Sequence, residues 1–373
     1  MSEGICYIIN SLKAAGAEKY VLDLVSSMSR KGKKAYIVSL GPIDNEFLKK
    51  YDLHDIIIKQ FCTVKIFSVR TLSVIYKIYR FIRTNHIELI HINMRLSDII
   101  GGTAAILAKC KFVSTQHDTQ LWRYSRKAKD VIYKYIHRFV MHYSSGIIAP
   151  TISVKHYLHE TERIPSDKIE VIYHGIDLDK FHVKVRRLNT KVTIGSLARF
   201  RPEKGHKDIV ESLPIVLAKV KNRRIELQCA GEGPSQNDVW TLAKQLGVSR
   251  NIIFLGKIFD VPGFLEKIDI LVHAAASGEA FCYAALEGLA AGKPVVITDI
   301  DGIPEFIKDH YNGLLVPIES PKEIARSLIE LINQPKLFER ISKNAASSCR
   351  PFFSLERMIN QTYRFYERML GNV

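Results

Sequence analysis

Two glutamates with seven residues between them, Glu279 and Glu287, stand in the stretch Ser277–Val296, which reads as a loop, a helix of small and apolar residues, and a buried strand. On a helix, eight steps separate two positions by roughly 12 Å along the axis. That matches the span from sugar to ribose in an extended nucleoside-diphosphate sugar. Carboxylates so placed could accept hydrogen bonds from hydroxyls at both ends of such a molecule. The helix N-terminus between them favours negative charge. A Glu279 that caps the helix and a Glu287 that is merely solvated would share this spacing, so the pair alone does not decide.

Four other clusters fall on turns after predicted strands. In Ala14-Ala15-Gly16-Ala17-Glu18, small residues let backbone N–H groups approach a phosphate at a helix start. In Gly195–Gly205, Arg199 and Lys204 flank a tight turn and could clamp a diphosphate from one side. Gly231-Glu232-Gly233-Pro234 is a turn of the kind that edges a nucleotide pocket. Ser114-Thr115-Gln116-His117-Asp118 ends a strand with an imidazole and a carboxylate. Each signal is weak alone.

The elements that must position these residues alternate short apolar runs with longer amphipathic stretches, twice over. Strands are predicted at Ile5–Ile9, Ala35–Ser39, Asp55–Lys59, Glu88–Ile92, Phe112–Thr115, Gly146–Ala149 and Ile169–Tyr173. Helices fit between them, among them Ala17–Ser29, Val69–Arg83, Ser97–Lys109 and Tyr124–Tyr143. The pattern lapses near Tyr173–Asp177, and the polar, basic run Asp179–Lys191 suits an interdomain connection. It restarts with strands at Val192–Ser196, Ile225–Cys229, Ile252–Leu255, Ile270–His273, Pro294–Thr298 and Gly313–Val316. Helices are predicted from about Glu203 to Lys219 and at Ser235–Leu246, Phe281–Ala291 and Pro321–Leu331. Alternation of this kind indicates α/β architecture, with two doubly wound parallel sheets and a cleft between the domains. Expected domains are residues 1–180, residues 191–350, and a helical tail, 351–373, that returns to the first. Phe352, Phe353, Tyr363, Phe365 and Tyr366 are the tail's predicted buried anchors, and Pro351 marks a break within it.

At 373 residues, 47% hydrophobic and 25% charged, the chain is globular material for two domains. It contains no apolar run long enough to span a bilayer and no signal-peptide pattern at its start. Its six cysteines are scattered, without metal-ligand spacing, which suits reduced thiols in the cytoplasm. Net charge is +16, concentrated in the first half. The segment Trp122–Phe139 combines Arg123, Arg126, Lys127, Lys129, Lys134 and Arg138 with aromatics, which suits an anionic membrane surface. A solvated helix face with core aromatics would read the same way. Nucleic acid ranks lower as a partner, because no nucleic-acid motif accompanies the charge.

Taken together, the motifs resemble the retaining glycosyltransferases of family 4 (glycosyltransferase group 1), built on two Rossmann-like domains in the GT-B arrangement. Glu279–Glu287 with Gly-Lys-Pro-Val-Val after it matches that family's E-x7-E signature, and Leu197–Gly205 matches its R-x4-K turn. Gly302-Ile-Pro-Glu305 and Asn312–Pro317 also match. The resemblance covers essentially the whole chain. It implies that Arg199 and Lys204 neutralise the diphosphate, Glu287 binds the ribose, Glu279 holds the donor sugar, and Gly16 sets a backbone N–H beside the distal phosphate. Gly231, Ala280, Phe281 and Cys282 would complete the donor pocket, and His117 would lie beside the reacting carbon or the acceptor hydroxyl. It further implies a hexose-type sugar on a UDP- or GDP-linked donor, a glycan or glycolipid acceptor, and no metal or other cofactor; peripheral contact with the cytoplasmic face of a membrane is expected from the basic first half. Ala15, Ala280 and Cys282 replace common glycines, His174 a common Asn, and Asp301-Gly302 a Gly-Gly. A nucleotide-sugar epimerase of the same architecture and a non-enzymatic basic scaffold are the rival readings.

Overall fold

The computed structural model describes residues 4–13, 15–32, 34–62, 68–117, 128–181 and 188–371. They form two compact units: residues 1–174 with 355–373, and residues 175–354. The boundary falls at His174–Gly175, ahead of the polar run that sequence patterning marks as the connection.

The first unit is built in the order β1 (Ile5–Ile9), α1 (Gly16–Arg30), β2 (Ala35–Ser39), α2 (Asn45–Leu48), β3 (Ile57–Gln60), α3 (Val69–Thr84), β4 (Leu89–Asn93), α4 (Arg95–Ala108), β5 (Lys111–Thr115), α5 (Ala128–His142), β6 (Gly146–Ala149), α6 (Ile152–Glu160) and β7 (Ile169–Val171). Its seven strands pair in parallel in the order β3-β2-β1-β4-β5-β6-β7. Strands β1, β2 and β4 are buried at every position, as a sheet covered on both faces requires. The direction of winding reverses after β3. Right-handed crossovers therefore put α1 on one face and α3, α4 and α5 on the other, with α4 packed between α3 and α5.

The second unit repeats the scheme with β8 (Lys191–Leu197), α7 (His206–Lys219), β9 (Arg224–Ala230), α8 (Gln236–Gln245), β10 (Ile252–Gly256), α9 (Val261–Lys267), β11 (Ile270–His273), α10 (Tyr283–Ala290), β12 (Val295–Thr298), α11 (Ile303–Phe306), β13 (Leu314–Val316), α12 (Pro321–Asn333) and α13 (Pro335–Cys349). Its six parallel strands run β10-β9-β8-β11-β12-β13. Each sheet has a switch point, between β1 and β4 and between β8 and β11, where a crevice opens beyond the carboxyl ends of the strands.

Helix α14 (Leu355–Leu370) returns to the first unit and packs on α1. Its Tyr366 hydroxyl bonds Nδ1 of the buried His91 on β4, and Phe365 joins the same core. Between α13 and α14 the helix breaks around Pro351, whose ring cannot continue it. Phe353 is buried there, but Phe352 is 55% exposed, so it is not the anchor that composition suggests. Two adjacent aromatics in a turn point different ways, and only one finds the core.

Candidate active site

The R-x4-K turn shows how local sequence shapes the site. Patterning predicts a helix from Glu203, but Pro202–Lys204 is a 3₁₀ turn and α7 begins only at His206. Gly205 separates them at φ +65, and a Cβ there would fall 1.7 Å from the carbonyl oxygen of Ala274. No other residue fits. The turn is thereby pressed onto the end of β11, and Ala276 N–H donates to Glu203 O at 2.9 Å. Gly231 does the same for the neighbouring loop: at φ +138 its Cβ would lie 2.0 Å from Ala198 O, beside Arg199.

That packing delivers the Lys204 ammonium to Oε1 of Glu279, while His273 Nε2 reaches the same oxygen at 2.9 Å. All three sit in little water: Glu279 and His273 are buried and Lys204 nearly so. Burial alone would raise the Glu279 pKa, but His273 and Lys204 hold the carboxyl well below its usual range. For His273 burial again opposes the outcome, and the pull of Cys282 and Glu279 raises it to about 10. Burial likewise works against Lys204, and Glu279 overcomes it and raises its pKa. The cluster is a carboxylate held charged between two cations. Arg199 is exposed and near enough for its charge to oppose that of Lys204.

Glu279 does not cap α10. Cys282 occupies the N-cap, where its side chain makes no capping bond, and Glu279 precedes it in the loop. Its backbone N–H donates instead to Asp301 Oδ2 at 3.3 Å. Asp301 adopts φ +46, in the place where the family usually has glycine. Glu287 is buried in α10 rather than solvated. Ala280 is buried, and the Phe281 ring stacks on Phe306 at 5.2 Å. His273, Glu279 and Cys282 offer ligand atoms within 4.8 Å of one another, the one group of this kind among the described residues. Asp299-Ile300-Asp301, directly after β12, places an Asp-x-Asp spacing at a strand end, against the expectation from sequence that no such motif stands there.

Gly16 and His117 belong to the first unit. Gly16 opens α1 behind an N-cap, Ala15, that makes no side-chain bond, and Glu18 in the first turn accepts from Ser11 Oγ at 3.0 Å. Ala14 and Asp118 lie outside the described residues, as do residues 122–127 of the basic segment. His117 follows β5 and meets Asn93 Oδ1 through Nε2 at 3.0 Å. The Asn93 amide is oriented by its Nδ2 donating to His91 O at 3.4 Å. Nε2 therefore carries the proton, and Nδ1 is left as an acceptor. The ring stacks on His174 at 5.2 Å and meets the edge of Tyr20 at 5.2 Å. Burial lowers His117 to about 4, against the pull of Asp98, and lowers His91 to about 3. His174 is lowered well below its ordinary value by the same cause.

Sequence reasoning misses His273 and Asn93, and names Asp301 only as a replacement of a common glycine. The first had a visible signal: a lone imidazole ending the apolar strand Ile-Leu-Val-His, six residues before Glu279.

Comparison with known proteins fits this geometry. A family model described as glycosyl transferases group 1 matches residues 177–348, and one described as glycosyltransferase family 4 matches residues 14–180. The chain is 22% identical over 362 residues to N-acetyl-alpha-D-glucosaminyl L-malate synthase of Bacillus anthracis, covering 93% of this chain and 92% of that protein. It is 21% identical over 316 residues to the UDP-Gal:alpha-D-GlcNAc-diphosphoundecaprenol alpha-1,3-galactosyltransferase of Escherichia coli, covering 82% and 81%. The crystal structure of Anabaena HepE in complex with UDP and glucose superposes with a TM-score of 0.85 at 19% identity, over 98% of this chain and 100% of that one. These matches set aside the epimerase and scaffold readings: the chain belongs to the group 1, family 4 glycosyltransferases, transferase enzymes built on two Rossmann-like domains in the GT-B fold.

Proposed function

We propose that this glycosyltransferase moves a hexose-type sugar, with retention of configuration, from a UDP- or GDP-linked donor to a hydroxyl of a lipid-linked or envelope glycan. The observation that carries the reading is the Lys204–Glu279–His273 cluster beside the Arg199 turn. As the glycosidic bond breaks, negative charge grows on the departing diphosphate, and cations already in place stabilise that state most. A lysine ammonium has three donors, so Lys204 can keep Glu279 and still meet a phosphate oxygen. Held charged, Glu279 offers its remaining lone pairs to sugar hydroxyls, and Glu287 would take the ribose. Gly16 would present N–H groups to the distal phosphate. The neutral His117 would accept from a hydroxyl through Nδ1.

Two relatives support the substrate classes. The E. coli protein is named for a UDP-galactose donor and a diphosphoundecaprenol-linked acceptor, and the HepE structure contains UDP and glucose. No helix among the described residues is long and apolar enough to cross a membrane. The lipid-linked acceptor is read as met by peripheral contact from the cytoplasmic side, drawn by the net charge of +16. The reaction is read as metal-independent, with Arg199 and Lys204 taking at the diphosphate the role that a divalent cation plays elsewhere.

Incubation of the chain with UDP- and GDP-hexoses and an undecaprenyl-diphosphate glycan primer tests the reading. Expected are an α-linked product from an α-linked donor and rates unchanged by a chelator. A β-linked product overturns retention; loss of activity on chelation, restored by a divalent cation, overturns metal independence.

A further inference from the structure

We infer that the α3–α5 face of the first unit is a docking surface for an anionic lipid bilayer. This deepens the reading of a lipid-linked acceptor and rests on it. Helix α3 buries Val74, Ile78 and Ile82 on its inner side. It also carries a second apolar stripe that faces outward: Val69 is 85% exposed, Leu72 68% and Tyr76 59%. The spacing i, i+3, i+7 puts these three on one side of the helix. Packing of the fold accounts for the inner stripe and leaves the outer one without a role. The same doubling occurs on α5, where Tyr135 and Phe139 are exposed.

Charge selects the occupant. Helix α3 holds Arg70, Lys77, Arg80 and Arg83 and not one acidic residue, and all four cations are exposed. On α5, by contrast, Lys134 and Arg138 both pair with the buried Glu162. The attraction that the basic Trp122–Phe139 segment suggests therefore belongs, among the described residues, to α3 instead. Aliphatic and aromatic side chains interleaved with cations match the boundary between headgroups and acyl chains. A nucleic acid would engage the cations but leave Val69 and Leu72 nothing to bury against. A second copy of this chain, meeting the same patch about a two-fold axis, would set four cations against four.

The test is co-sedimentation of the full chain at low salt with vesicles of phosphatidylglycerol and phosphatidylethanolamine, against vesicles of phosphatidylcholine alone. Binding is expected to the anionic vesicles only. Arg80→Ser with Arg83→Ser should weaken it on the order of tenfold. Leu72→Glu with Tyr76→Glu should abolish it. Equal binding to both vesicle types, or binding unaffected by Leu72→Glu with Tyr76→Glu, overturns the inference. So does self-association that the same pair of substitutions abolishes, or displacement from vesicles by an oligonucleotide. Thermal stabilisation by UDP, measured on the same preparations, reports on the donor reading separately. A chain that binds vesicles but ignores UDP and GDP sinks the donor reading alone, and a chain that answers UDP but ignores vesicles sinks this surface alone.

Discussion

The two units share a winding scheme and place polar clusters beyond the same strand ends, yet the clusters are electrically opposite. In the first unit stand imidazoles that burial keeps neutral, His91 within β4, His117 after β5 and His174 after β7, set among Tyr20, Asn93 and Thr115. After β8 and β11 stand groups held charged by one another: Lys204, His273 and Glu279. The difference follows from what is buried with each group. An imidazole enclosed by rings and hydroxyls loses more in hydration than any nearby carboxylate returns, so its proton leaves. An imidazole enclosed with a carboxylate gains one, so its proton stays. A scheme of strands and helices thus fixes where a site forms, and a handful of neighbours fixes whether it handles hydroxyls or anions.

Removing charge from the second unit should have the largest effect. Lys204→Ala is expected to lower the rate of sugar transfer on the order of 10²–10³-fold while the protein remains folded by circular dichroism. An unchanged rate would break the contrast outright. Arg199→Ala, at an exposed position, should raise the donor KM on the order of tenfold with a smaller change in kcat. His273→Leu sharpens the comparison through stability, with an expected loss of about 1–3 kcal/mol in denaturant unfolding near neutral pH. Because the His273 pKa is raised, its contribution is complete below the ordinary value of 6.5 and is lost as pH rises toward about 10. The alkaline decline in melting temperature should therefore be shallower in His273→Leu than in the parent.

His117→Gln should have the smallest effect on stability, and at the opposite end of the pH scale. His117 has a lowered pKa, so its neutral burial costs stability as pH falls from 6.5 toward about 4. The variant should lose a few degrees less than the parent over that interval. An alkaline rather than acid difference would refute the neutral-imidazole description.

Much of the scaffold was legible because buried parallel strands read as short apolar runs, and the sequence marks all seven strands of one sheet and all six of the other. The turn from Arg199 to Lys204 was legible as well, since charged residues around Gly205 have few other uses. Three features were hidden for physical reasons. The start of α7 was set too early because Gly205, at positive φ, ends one turn and permits the next, and composition does not report φ. His273 looked like the end of an apolar strand, and only the chain's return at Glu279 supplies its partner. The outward stripe of α3 was invisible because periodicity finds apolar stripes without saying which one faces the core. Phe352 and Phe353 make the same point in two residues.

The return of α14 to the first unit bears on the order in which the nascent chain matures. The second unit has all its residues once position 354 has left the ribosome, whereas the first still lacks the helix that supplies Phe365 and Tyr366 to its core. The usual amino-to-carboxyl order of domain completion is thereby inverted. Until the last helix docks, His91 and Tyr7 wait beneath an open face, and the amino-terminal half is the part that a chaperone or a protease meets unfinished.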